Sequence, residues 1–214
     1  MSHTCYLISN CSDALTEIQE SCSPQKVQWH NGTNASSFSA LVNMCVARCP
    51  TETVIMMSHR VRPAAQHIEK LLQLLDHGHA FVGLYRFGFF GFRKQLFRAI
   101  GGLDERYTGG GYEDDDFYLR LREANLAFYL THEVPYMSGP STWPESGREL
   151  CRQHFVSKWG DKVVAQNLAQ RRMPELSGKY QWGDAVPCSW MTTNRSVITP
   201  RGVKRYMSTR ITQR

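Results

Sequence analysis

Sixteen residues, RYTGGGYEDDDFYLRL at 106–121, concentrate the chemistry of this chain. Glu113, Asp114, Asp115 and Asp116 stand in a row behind Gly109, Gly110 and Gly111, and an apolar pattern of helical spacing begins at once. Adjacent carboxylates repel one another, so such a run is costly unless something uses it. The glycines permit a tight turn and let a ligand come against bare backbone. Asp115 or Asp116 can cap the helix that follows, and the positive end of that helix favours the carboxylates around it. Capping accounts for one or two of the acids. The excess implies a carboxylate held on a turn, at the mouth of a helix, for chemistry on a ligand.

The elements that must position this turn read as alternating strands and helices. CYLISN (5–10), KVQWHN (26–31) and ETVIMMS (52–58) have strand patterns, the last being the wholly apolar run that a buried parallel strand requires. SDALTEIQESC (12–22), capped by Ser12 or Asp13, SSFSALVNMCVARC (36–49) and PAAQHIEKLLQLLDHG (63–78) have helical patterns. This rhythm predicts an α/β fold with a mainly parallel central sheet flanked by helices, and ligands at the carboxyl ends of its strands. Beyond residue 80 the stretches 80–92 and 126–137 read as strands, and 93–102, 115–125 and 144–160 as helices. Residues 161–214, rich in Gly, Pro and Trp, read as a loop or lid.

The segment from about Gly88 to Asn125, with FRKQLFRAIGGLDERYTGGGYEDDDFYLRLREANL at its heart, resembles the acceptor half of inverting glycosyltransferases of the GT-A fold. It is most similar to the galactosyltransferase and N-acetylgalactosaminyltransferase type. The resemblance implies a single GT-A domain over 1–214, with a nucleotide-sugar donor half at 1–80, an acceptor and catalytic half at 81–160, and the lid beyond. It also implies a UDP-sugar donor, a glycan or glycoconjugate acceptor, and Asp114 as the base that takes the acceptor hydroxyl's proton. Glu113 would hydrogen-bond sugar hydroxyls. Ser9 and Asn10 would face the nucleotide from the first strand, and Asn31 from the second. Tyr107, Gly110, Gly111 and Trp143 would meet the acceptor, with Trp159 a further stacking candidate.

One departure from that family bears on the cofactor. Where its members carry Asp-x-Asp before the long helix, this chain has Ser58-His59-Arg60, followed by Arg62, and HEVPYM runs directly into SGPST, where the family's late histidine ligand would stand. A guanidinium matches phosphate geometry, so the expectation is a donor site of Ser58, His59, Arg60 and Arg62 that requires no metal. The alternative is Mn²⁺ or Mg²⁺ on His59, or else a catalytically inactive module that binds nucleotide or sugar.

Composition adds limits. With 214 residues, 42% of them hydrophobic and 21% charged, the chain can bury a full domain core. The net charge of +6 and the basic tail Arg201, Lys204, Arg205, Arg210 and Arg214 favour anionic partners. No nucleic-acid-binding motif accompanies the charge, so nucleic acid is not expected. Seven cysteines without a C-x-x-C pair predict reduced thiols and a cytoplasmic setting. No apolar stretch approaches the roughly 20 residues of a membrane helix, and no signal peptide is evident. The sequons at Asn10, Asn31, Asn34 and Asn194 are then chance matches.

Overall fold

The apolar runs of the N-terminal part become neighbours in one sheet. In the computed structural model, which describes residues 2–9, 14–31, 35–137 and 145–160, β1 (His3–Ser9), β2 (Val27–Asn31) and β3 (Thr53–Ser58) lie parallel in the order β2-β1-β3. The crossovers carry α1 (Leu15–Ser21) and α2 (Phe38–Arg48). Ser37 caps α2, its Oγ accepting from Ala40 N–H at 3.1 Å. Successive side chains of β1 pass to opposite faces, and both faces are covered: Cys5 and Leu7 join one core, Tyr6 and Ile8 the other.

The stretch 80–92, expected as one strand, is two. After α3 (Ala65–Asp76), β4 (Phe81–Phe87) and β5 (Phe89–Arg93) form a hairpin that reverses at Gly88, whose N–H donates to the Tyr85 carbonyl at 2.7 Å. Arg86 holds the left-handed φ of 45° in that turn. Most of both strands is buried, so no polar alternation interrupted the run in the sequence. β5 enters antiparallel beside β3, β4 pairs antiparallel with β5, and β6 (Phe128–Leu130) closes the far edge parallel to β4. The sheet runs β2-β1-β3-β5-β4-β6. Three of its five pairings are parallel. Of the strand expected at 126–137 only those three residues form β6; the rest makes single bridges, His132 to Tyr85 and Tyr136 to Val61.

Helices α1 and α3 cover one face through Ile18, Ile68, Leu71 and Leu75. The other face takes α2, α4 (Lys94–Ile100) and α5 (Glu113–Glu123), with Phe81, Phe90, Phe92, Phe97 and Phe117 packed ring on ring. α6 (Glu145–Trp159) adds a small third cluster, setting Cys151, Phe155 and Trp159 on Tyr107 and Leu119. Asn10, the expected caps Ser12 and Asp13, Trp143, and everything from 161 onward, the basic tail included, lie outside the described residues. Cys5, Cys22, Cys45, Cys49 and Cys151 are free and buried. Among the described residues no helix is long and apolar enough to cross a membrane.

Candidate functional site

The acidic turn is built by three consecutive left-handed residues. Gly110 (φ 74°), Gly111 (φ 94°) and Tyr112 (φ 72°) swing the chain into α5, and only the first two adopt that conformation without cost. The Tyr112 ring rests on Phe155 of α6, which helps to hold it there. All four acids then fall in the first turn of α5, where the exposed N–H groups favour negative charge. Asp115 and Asp116, expected as caps, are not: Tyr112 occupies the cap position, and no side chain accepts a capping hydrogen bond there. The helix begins three to four residues earlier than a capping Asp115 or Asp116 would require.

Each acid is handled differently. Asp114 is half-buried and pairs with Arg86 through Oδ2 at 2.5 Å, while its Oδ1 accepts from the Asp115 N–H at 3.0 Å. Asp115 is buried with one carboxylate oxygen 3.9 Å from the same guanidinium. Glu113 pairs with no cation among the described residues: burial, and after it the charge of Asp114, pushes its carboxyl up to about 8. At neutral pH it mostly holds a proton. Its Oε2 is shut off from solvent and has no hydrogen-bond partner among the described residues. Arg86 was not singled out in the sequence, because its partner lies 28 positions away and the run around it is apolar.

Asp116 points the other way, into a buried charge network. It accepts from Trp159 Nε1 at 2.7 Å and Arg120 Nε at 3.0 Å, and Lys158 Nζ lies 2.7 Å from it. The same Lys158 reaches Asp104 at 3.1 Å. Asp104, from the GGLDE stretch, also takes a two-pronged bond from Arg106 at 2.9 and 2.7 Å and one from His154 at 3.1 Å. Burial alone would raise the Asp104 carboxyl, but Arg106, Lys158 and His154 outweigh it and hold the group well below the usual carboxylate range. Asn43 of α2 fastens the same stretch by bonding both N–H and C=O of Leu103, at 2.9 and 2.8 Å. The turn therefore sits on a fixed base.

A second cluster lies at the carboxyl ends of the parallel strands, where the topology places ligands. Ser9 ends β1 opposite Asn31, and Ser58 ends β3 opposite Ile8. Ser9 Oγ bonds His59 Nδ1 at 2.9 Å. Burial, then Arg60 and Arg62, lowers the affinity of His59 for a proton, so the ring is neutral at pH 7. Arg62 departs from expectation. Its guanidinium turns inward to Glu17 at 2.7 Å and to the carbonyls of His59 and Val61 at 2.7 and 3.0 Å, so it closes the loop instead of facing a ligand. Arg60 instead bonds the Tyr136 hydroxyl at 3.2 Å.

That contact links the two clusters. Tyr136 stacks on Tyr85, centroids 4.6 Å apart and planes within 6° of parallel, and Tyr85 precedes Arg86. From strand ends to acidic turn the order is His59, Arg60, Tyr136, Tyr85, Arg86, Asp114. Tyr136 and Met137 are exposed. The sequence drew attention to other rings, and the structure corrects two of them. Tyr107 is buried with its hydroxyl 3.5 Å from Asp116 and its edge on His154, and Trp159 is buried in the same network. Neither presents a face to a ligand. Gly110 and Gly111 stay half-buried at the surface of the turn.

The comparisons with known proteins follow this geometry. Residues 76–138, which span the β4–β5 hairpin, the acidic turn, α5 and β6, match the family described as the N-terminal domain of galactosyltransferase. No curated protein matches the chain. Two solved structures resemble it at 15% identity, each over 71% of this chain and 80% of the other. One is a Drosophila β1,4-galactosyltransferase 7 mutant in complex with manganese, UDP-Gal and xylobiose, with a TM-score of 0.47. The other is the catalytic domain of Drosophila β1,4-galactosyltransferase 7 with xylobiose, with a TM-score of 0.49. The manganese in the first corrects the expectation that no metal is required. The described residues of this chain do not themselves fit a divalent ion: no three His, Cys, Asp or Glu side chains converge among them, and 58–60 offers one imidazole already bonded to Ser9. The likeness to that galactosyltransferase domain holds for residues 76–138, the segment that carries the acidic turn.

Proposed function

We propose that this chain is an inverting glycosyltransferase that moves a hexose or N-acetylhexosamine from a UDP-sugar to a hydroxyl of a glycan or glycoconjugate. Residues 1–80 serve the donor and 81–160 the acceptor. The observation that carries this reading is the placement of Asp114: half-buried, fixed through both oxygens, at a glycine-cleared helix start, and joined by an aromatic ledge to the polar and cationic strand ends.

In this reading Ser9, Asn10, Asn31, Ser58, His59 and Arg60 receive the nucleotide diphosphate, with Arg60 contributing charge beside the neutral His59. The Tyr85–Tyr136 stack, which the sequence did not suggest as a sugar platform, offers an aromatic face to a pyranose ring between donor and acceptor. The acceptor hydroxyl approaches over Gly110 and Gly111. Asp114 takes its proton as the oxygen attacks the anomeric carbon, the bond to the diphosphate breaks on the opposite face, and the configuration inverts. Glu113, protonated at neutral pH, donates a hydrogen bond to a sugar oxygen.

Titrating the chain with UDP in the presence of manganese, followed by calorimetry, tests the donor end. Binding is expected, and Arg60→Ala is expected to weaken it about 10-fold or more, since a hydrogen bond to a charged group contributes ~1.5–3 kcal/mol. Arg62→Ala should weaken it less, because that guanidinium faces Glu17 and two carbonyls. No UDP binding, or an affinity indifferent to Arg60, would remove the donor site from this position.

A further inference from the structure

We propose that Arg86 is the positioning residue of Asp114, holding that carboxylate in one orientation and aimed at the acceptor hydroxyl; this rests on the transfer reading above. The geometry is specific. Arg86 lies at the end of β4 in a left-handed conformation, φ 45°, that a non-glycine residue seldom adopts. In it the side chain crosses to α5 and meets Asp114 Oδ2 at 2.5 Å. The Asp115 N–H takes Oδ1. With one lone pair on each oxygen engaged, the carboxylate cannot rotate freely, and its remaining lone pairs have fixed directions.

The charges around Asp114 explain why a cation is needed. Glu113 and Asp115 flank it on α5, and the Tyr118 hydroxyl lies within electrostatic reach of both Asp114 and Arg86. From α6, Cys151 faces Glu113, and Arg148 approaches Gly111. Arg86 on β4 is the cation directly bonded to Asp114. Two neighbouring acids would repel a lone carboxylate from its place. The guanidinium opposes them. It also shares its charge with Asp115 at 3.9 Å, so one cation serves two of the four acids. Asp116 draws on Arg120 and Lys158 instead, and Glu113 is left to take a proton.

The test uses Arg86→Gln, which removes charge, and Arg86→Lys, which keeps charge and loses the planar fork. Folding of both is checked by near-ultraviolet circular dichroism. In Arg86→Gln, kcat is expected to fall about 10- to 100-fold with donor and acceptor KM within about twofold. Arg86→Lys should restore part of the rate. A crystal structure of Arg86→Gln reads the pairing with no turnover at all, and should show the Asp114 carboxylate turned away from its place in the unmodified chain. A carboxylate that keeps its place overturns the proposal. So does a raised donor KM with kcat intact, which would assign Arg86 to the diphosphate. If the unmodified chain makes no product while the carboxylate still turns in Arg86→Gln, the pairing is supported and the transfer reading is what fails.

Discussion

Asp114→Asn is expected to lower transfer by about 10²–10⁴-fold while leaving the fold intact, the usual weight of a positioned general base. The substitution is nearly isosteric, and the amide oxygen can still accept from Arg86 or from the Asp115 N–H, so the turn has reason to keep its shape. What is lost is basicity. An amide cannot take the acceptor proton, and the attacking oxygen must leave it to water. The neighbouring positions provide the contrast. Asp115 is buried and more remote from Arg86, and Asp116 is committed to the network beneath, so neither is placed to receive a proton from a ligand. Steady-state rates for Asp114→Asn and Asp115→Asn, measured side by side, check the assignment. Near-normal turnover in the first with loss in the second would put the base one residue further along.

Lys158→Met is expected to destabilise the domain by about 3 kcal/mol, because it removes the one ammonium that bridges two fully buried carboxylates. Asp104 would keep Arg106 and His154, and Asp116 would keep Arg120 and Trp159, which places the cost at the lower end of the ~3–5 kcal/mol typical of a broken buried pair. For a chain of this size that corresponds to a drop in Tm of roughly 6–12 °C. The pH dependence has a definite sign. Asp104 titrates below its ordinary value of 3.8 when folded, so its contribution is complete above about pH 4 and is lost as pH falls. The variant should therefore show a shallower loss of stability in acid than the unmodified chain. Urea unfolding at pH 7 and at about pH 2 measures both effects, since the loss falls below the ordinary carboxylate value, and a change below about 0.5 kcal/mol at pH 7 would mean that the network relaxes without its lysine.

Much of the site was legible because it is local. The motif at 106–121 states its glycines, acids and helix within sixteen consecutive residues, and the structure places that helix at Glu113–Glu123. The apolar run at 52–58 likewise announced a buried strand, and β3 is buried on both faces between parallel β1 and antiparallel β5. What the sequence hid is long-range. Arg86 meets Asp114 across 28 positions and Lys158 meets Asp104 across 54, and no local pattern encodes either pairing. Arg62 read as a phosphate ligand because its partner Glu17 stands far back along the chain, in α1. Tyr107 read as an exposed platform because an aromatic beside glycines carries no sign of the helix α6 that covers it. The hairpin at Gly88 was missed for a different reason: when both faces of adjacent strands are buried, the alternation that marks a strand and the break that marks a turn are both muted.

The metal expectation failed in an instructive way. It was read from three residues, Ser58-His59-Arg60, whose types argue about charge but not about what else reaches the diphosphate. The described residues at that place supply a neutral imidazole and a guanidinium held by Tyr136.

The central claim is that the acidic turn drives a single displacement at an anomeric carbon, and the anomeric configuration of the product reports on that step directly. The unmodified chain is incubated with an α-linked UDP-sugar, manganese and a panel of glycan acceptors, and the new linkage is read from its anomeric proton coupling by NMR. The account predicts a β-linked product, formed by the unmodified chain and strongly reduced with Asp114→Asn. An α-linked product, or a β-linked product formed equally well without the Asp114 carboxylate, would contradict it.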